Sequence, residues 1–149
     1  MPTLAVSRCG NIPWAEAELF DVRIDQDVRA AFDAALRSRV DVLLVGIDGF
    51  TQSNSQLFVD LAAQHRLPAL YSSTEFVSAG GLLSYGISYP DLYFRAASFA
   101  DKIFKGAKPG DLPIQTPTRF ELVINLKTAR MLDLTVPPTL LARADEVIE

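Results

Sequence analysis

The run Val40-Asp-Val-Leu-Leu-Val45, closed by Gly46, sets the tightest limit on how this chain can fold. It is far shorter than the roughly 20 apolar residues that a membrane-spanning helix needs. Its near-continuous apolar character suits a parallel strand covered on both faces rather than a strand with one face in water. Its neighbours read accordingly. Phe20, Val22 and Ile24 alternate with Asp21 and Arg23, the period of a strand. Asp25 is placed to cap the helix that follows, in which Val28, Ala31, Phe32, Ala35 and Leu36 make one apolar stripe and Arg37 and Arg39 suit the negative end. After Val45, Phe58, Leu61, Ala62 and His65 mark the inner side of a second helix, and Leu67-Pro-Ala-Leu-Tyr71 reads as the next strand. Strand, helix, strand, helix, strand predicts parallel pairing with right-handed crossovers. The fold class is therefore α/β, a parallel sheet flanked by helices.

Further along, Ser73–Ser78 reads as a short helix broken by Ala79-Gly-Gly81, and Leu82–Gly86 as a strand. Pro90 opens a long helix that stops at Lys105-Gly-Ala-Lys-Pro-Gly110. Residues 111–118 form an extended connector and Phe120–Ile124 a strand, with Asn125 capping a short helix through Met131. Pro137-Pro138 breaks the chain, and Thr139–Ile148 reads as a final helix. Upstream, Leu4–Val6 suits a short strand, Gly10–Pro13 a turn, and Ala15–Leu19 a helical turn or the approach to a strand.

The chain of 149 residues carries a net charge of −4, with no basic face to neutralise phosphates, so no nucleic-acid partner is expected. Cys9 and His65 are single, which excludes an internal disulfide and the usual zinc constellations; no metal and no cofactor is expected. Neither a phosphate-binding glycine loop nor a nucleophile elbow occurs. Ser53, Ser72 or Ser84 would need His65 as base, and Asp48 with Glu75 is a carboxylate pair of unknown separation, so an enzyme is the weaker reading. The start, Met1–Arg8, has neither a basic region nor an apolar stretch of a secretory leader. As written, the chain is expected to stay in the cytoplasm unless it is cut from a longer precursor.

In open parallel sheets, ligands lie beyond the carboxyl ends of the strands. Three loops qualify: Gly46–Ser53, Ser72–Phe76 and Gly86–Tyr89. Asp48 and Glu75 can take an ammonium group. Phe50, Phe76 and Tyr85 can stack on an apolar or aromatic part. Thr51, Ser72, Ser73, Thr74 and Ser84 complete the candidate ligand-binding set as small polar groups among apolar walls. Plainer readings stand beside these. Asp48-Gly49 also fits a turn, and Ser73 or Thr74 a helix cap, with Glu75 favoured by the helix dipole.

From about Phe20 to the end, the chain resembles the ABC transporter substrate-binding family whose members include tryptophan and tyrosine binders. Arg119–Arg130, Leu134–Pro138 and Leu140–Ile148 carry the strongest likeness. Asp41–Gly46, Leu61–Tyr71, Glu75–Gly86 and Ile103–Pro113 extend it. The resemblance implies a type I periplasmic-binding-protein fold, in which two α/β lobes hold a small organic solute, such as an amino acid, and pass it to an ABC permease. It places residues 20–81 in the second lobe and 82–149 on the way back to the first, with residues 1–19 poorly matched. It also implies a periplasmic or cell-surface setting, and loops 48–51, 72–76 and 84–86 facing the cleft. Family chains are about twice as long, so half of the clamp is expected to be missing. The alternative is a truncated α/β module without transport activity that forms homo-oligomers through incomplete sheet edges.

Overall fold

The computed structural model describes residues 3–8 and 16–149. In chain order the elements are β1 (Thr3–Arg8), β2 (Glu16–Asp21), α1 (Asp25–Arg37), β3 (Val42–Val45), α2 (Gly49–Ser53), α3 (Ser55–Gln64) and β4 (Ala69–Tyr71). Then follow α4 (Thr74–Ser78), β5 (Leu83–Ile87), α5 (Tyr89–Phe104), a 3-10 turn at Pro109–Asp111, β6 (Phe120–Asn125), α6 (Leu126–Met131), α7 (Pro138–Leu141) and β7 (Glu146–Ile148). All the strands join one sheet in the order β2-β1-β3-β4-β5-β6-β7.

The expected parallel sheet is present at its centre, where β3, β4 and β5 run parallel. Elsewhere the sheet is mixed. β1 enters between β2 and β3 and is antiparallel to both, and β6 is antiparallel to β5. The strand expected at 20–24 is β2, which ends at Asp21. Ile24, not Asp25, is the residue at the helix cap, and the Asp27 carboxylate accepts from the Arg23 and Ile24 amides at 3.0 and 3.2 Å. The final helix expected at 139–148 shrinks to α7, and 146–148 becomes β7, parallel to β6. The register explains the change: Ile124 pairs with Val147, so the chain end completes a sheet edge. The expected turn at 10–13 and Cys9 lie outside the described residues.

The core lies on one side of the sheet. Val28, Ala31, Phe32 and Ala35 of α1, with Phe58, Val59, Leu61 and Ala62 of α3, pack with Leu43, Val45, Ala69 and Tyr71 of β3 and β4. Full burial of such a side chain stabilises by about 1.5–3 kcal/mol. The other side is different. Leu44 was expected to be covered on both faces of its strand, yet it is exposed on a face shared, through the register, with Leu70 and Leu83. The reason is topological. The crossovers β3–α3–β4 and β4–α4–β5 step in the same direction, and right-handed crossovers that step the same way put their helices on the same face.

Candidate functional site

The carboxyl ends of β3 and β4 carry most of the polar groups named from the sequence, because each of these two strands gives way to a short helix. Asp48 sits at the cap of α2. Its Oδ1 accepts from the Thr51 amide at 2.8 Å, while the Asp48 amide donates to Thr51 Oγ1 at 2.9 Å, a reciprocal capping box. The Thr51 hydroxyl donates to the Gly46 carbonyl at 3.0 Å. Thr51 is fully buried, so it holds Asp48 in place rather than meeting a solute. One carboxylate oxygen of Asp48 is thus engaged, and the residue as a whole stays half-buried.

Next along the edge, the Ser72 amide and hydroxyl both donate to the Val45 carbonyl at 3.2 Å, tying the loop after β4 to the end of β3. On the far side of Ser72, Gly86 of β5 lies so close that an added Cβ would overlap the Ser72 carbonyl oxygen. The three strand ends are therefore locked into one rim. The sequence reads Gly86 both as the end of the strand Leu82–Gly86 and as the start of the loop Gly86–Tyr89; a glycine inside a strand pattern is the signal for such a close backbone approach.

Two buried hydroxyls, those of Ser73 and Ser84, have no hydrogen-bond partner among the described residues. Ser73 is 3% exposed and caps α4 without a side-chain cap bond, and Ser84 is 0% exposed beside Tyr71 in the register. An unsatisfied buried polar group costs about 1–3 kcal/mol.

The remaining candidates divide. Thr74 and Glu75 open α4, Glu75 in solvent, and Phe50 on α2 packs partly against the core. Phe76 is a core residue, not a wall of the site. It stacks on Tyr71 at 4.8 Å between ring centroids and meets Phe58 edge-on at 6.4 Å. That packing explains why burial pushes the Tyr71 hydroxyl well above its usual range. Tyr85 points to the sheet face opposite Ser84, as successive strand residues must. It is 57% exposed and stacks on Phe120 at 5.7 Å, so it does not share a wall with Ser84. The structure thus sets Asp48 and Ser72–Ser73 at the adjoining ends of β3 and β4, buries Ser84 level with Tyr71, and places Phe76 in the core and Tyr85 on the other face of the sheet.

Residues 17–148 match the family model described as ABC transporter substrate binding protein. The chain belongs to this substrate-binding family. A curated relative is the tyrosine-binding protein of Clostridioides difficile strain R20291, 31% identical over 101 residues, which is 68% of this chain and 29% of that protein. Among solved structures, an ABC domain from Streptococcus pneumoniae in complex with L-Trp is 31% identical with a TM-score of 0.78, over 87% of this chain and 43% of that one. A conserved domain protein from Vibrio cholerae is 30% identical with a TM-score of 0.74, over 83% and 41%. The chain thus spans less than half the length of these family members. Among the described residues, no helix is long and apolar enough to cross a membrane.

In this family member the Asp48–Thr51 box is testable on its own. Thr51→Val should lower stability by about 1–3 kcal/mol, because the Asp48 amide loses its acceptor in a buried setting. Thr51→Ser, which keeps the hydroxyl, should recover most of the loss. Urea melts of the three proteins measure this. Equal midpoints would show that the box contributes nothing.

Proposed function

We propose that this chain is a solute-binding component of an ABC-type importer, not an enzyme, and that its rim at Asp48, Ser72 and Ser73 forms one wall of an amino-acid site. The observations that support this reading are the half-buried Asp48 carboxylate at the end of β3 and the buried Ser73 hydroxyl after β4, which has no hydrogen-bond partner among the described residues. An amino acid offers matching chemistry. Its ammonium suits the carboxylate, and its carboxylate suits hydroxyl donors and the backbone amides at the start of α4. Family membership and the names of two relatives, a tyrosine-binding protein and a domain holding L-Trp, put aromatic amino acids first. As in a two-lobed clamp, the second wall and the contact with an ABC permease belong to the part of the relatives that this chain does not span. The expected setting is outside the cytoplasm, where importer receptors meet their solutes.

NMR titration with L-tryptophan and L-tyrosine tests the reading. The shifting amides should be those of Gly46–Asp48, Ser72, Ser73 and Gly86–Ser88. Asp48→Asn should weaken the association by roughly ten- to a hundred-fold, the loss of one charge-assisted hydrogen bond. A folded sample with no shifts, or shifts confined to other surfaces, would remove the basis for the site.

A homo-oligomer through incomplete sheet edges is the second reading. The edges themselves are poor templates for it. β7 has three residues and presents Glu146, and β2 carries exposed Glu18 and Asp21, and short or charged edges resist strand pairing.

A further inference from the structure

At the other end of the sheet from the Asp48 rim lies a cavity of about 140 Å³, set between α3 and α6 by the amino ends of β4 and β5. A lobe closing on the rim would act at the opposite edge. The cavity walls are largely apolar, with Ala62 of α3, Ala69 of β4 and Leu132 after α6 among them. Side-chain bonds fix these walls. Thr128 Oγ1 donates to the Gly80 carbonyl at 2.8 Å, holding α6 against the turn between α4 and β5. Arg66, just past the end of α3, donates through Nη2 to the Met131 carbonyl at 3.1 Å and to the Asp133 carboxylate at 2.6 Å. That contact ties the end of α3 to the end of α6 beside the cavity.

Tyr71 gives this space its chemistry. The residue is 1% exposed, Phe76 stacks on its ring, and its Cε2 edge lies so near Gly81 that a Cβ added there would sit 2.6 Å away. The hydroxyl, borne by the next ring atom, has no hydrogen-bond partner among the described residues. Unlike the sealed hydroxyls of Ser73 and Ser84, it belongs to a ring that lines a cavity. Burial pushes it well above its ordinary range, so it stays protonated and offers a donor. Thr128 Oγ1, whose proton is given to Gly80, keeps lone pairs that can accept. Both groups thus lie at the Gly80–Gly81 peptide. We propose that the cavity is a binding site for a small neutral phenol, its ring in the apolar space, its oxygen accepting from Tyr71 and its proton given to Thr128. The size agrees, since an apolar cavity of about 150 Å³ takes one benzene ring. The one charged side chain in the lining, Arg66, is already paired with Asp133, so nothing there calls for an ion.

Titration of the chain with phenol, followed by amide NMR, should shift Ala62, Gly80, Gly81 and Thr128 and leave Asp48 and Ser72 in place. The result is therefore read apart from the amino-acid titration at the rim. Tyr71→Phe keeps the ring and removes only the hydroxyl. It should melt no lower than the parent, because that hydroxyl has no bond within the described chain to lose. It should weaken phenol binding about five- to tenfold, the loss of one hydrogen bond, and leave benzene binding unchanged. A folded chain in which phenol moves none of the cavity amides would overturn the proposal. So would a phenol affinity indifferent to Tyr71→Phe, an equal loss of phenol and benzene, or a Tyr71→Phe chain that melts well below the parent.

Discussion

Gly86→Ala should lower the melting temperature by about 10 °C or more, the largest effect expected of any single methyl group added to this protein. The added Cβ would overlap the Ser72 carbonyl oxygen and come within 2.8 Å of its carbon. Backbone cannot swing aside as the tip of a flexible side chain can. β5 must therefore move away from the loop after β4, or that loop must lose its bonds to Val45. Either change should cost about 3–5 kcal/mol. Gly110→Ala is the internal control: nothing lies within 4 Å of its added Cβ, and its melt should match the parent. Differential scanning calorimetry of the three proteins decides the matter. If Gly86→Ala melts with the parent, the rim is looser than described, and the locked arrangement of Asp48, Ser72 and Ser84 loses its support.

Phe76→Ala should cost a further large amount, about 3–5 kcal/mol, because it removes a fully buried ring and leaves a cavity between Tyr71 and Phe58. Phe76→Leu should recover part of the loss by filling most of the space. The readout separates two roles for this residue. A core residue affects the melt, and any change in amino-acid binding should follow from lost folding. A ligand wall would affect binding with the melt intact. An unchanged melting temperature together with lost amino-acid shifts would return Phe76 to the site.

How far each feature was legible follows from the range of the forces behind it. The Asn125 cap of α6 was readable, because its side chain bonds the Thr128 amide three residues away, at 3.0 Å. The Asp48 loop was readable as a turn or cap for the same reason, and the structure shows a cap. The end of the chain was not. Residues 146–148 become a strand only because β6, more than 20 residues earlier, offers a free edge. Phe76 and Tyr85 shared a plausible aromatic role in the sequence, yet one is buried on the inner side of α4 and the other stacks on Phe120, largely exposed, on the opposite face of the sheet. Alternation along β5 hinted that Ser84 and Tyr85 must part; nothing local showed which of them the helices would cover.

The sequence by itself determined the α/β alternation, the parallel centre at β3 to β5, the family and the loops from which a site would be built. Periodicity, capping and turn chemistry act within a few residues, and so they can be read along a line. Only the tertiary structure decided that all three crossing helices share one face, that β1 runs against its neighbours and β6 against β5, and that Gly86 presses on Ser72. Those outcomes depend on which surfaces meet, and surfaces distant in the chain meet only once the crossovers have chosen a hand and a direction.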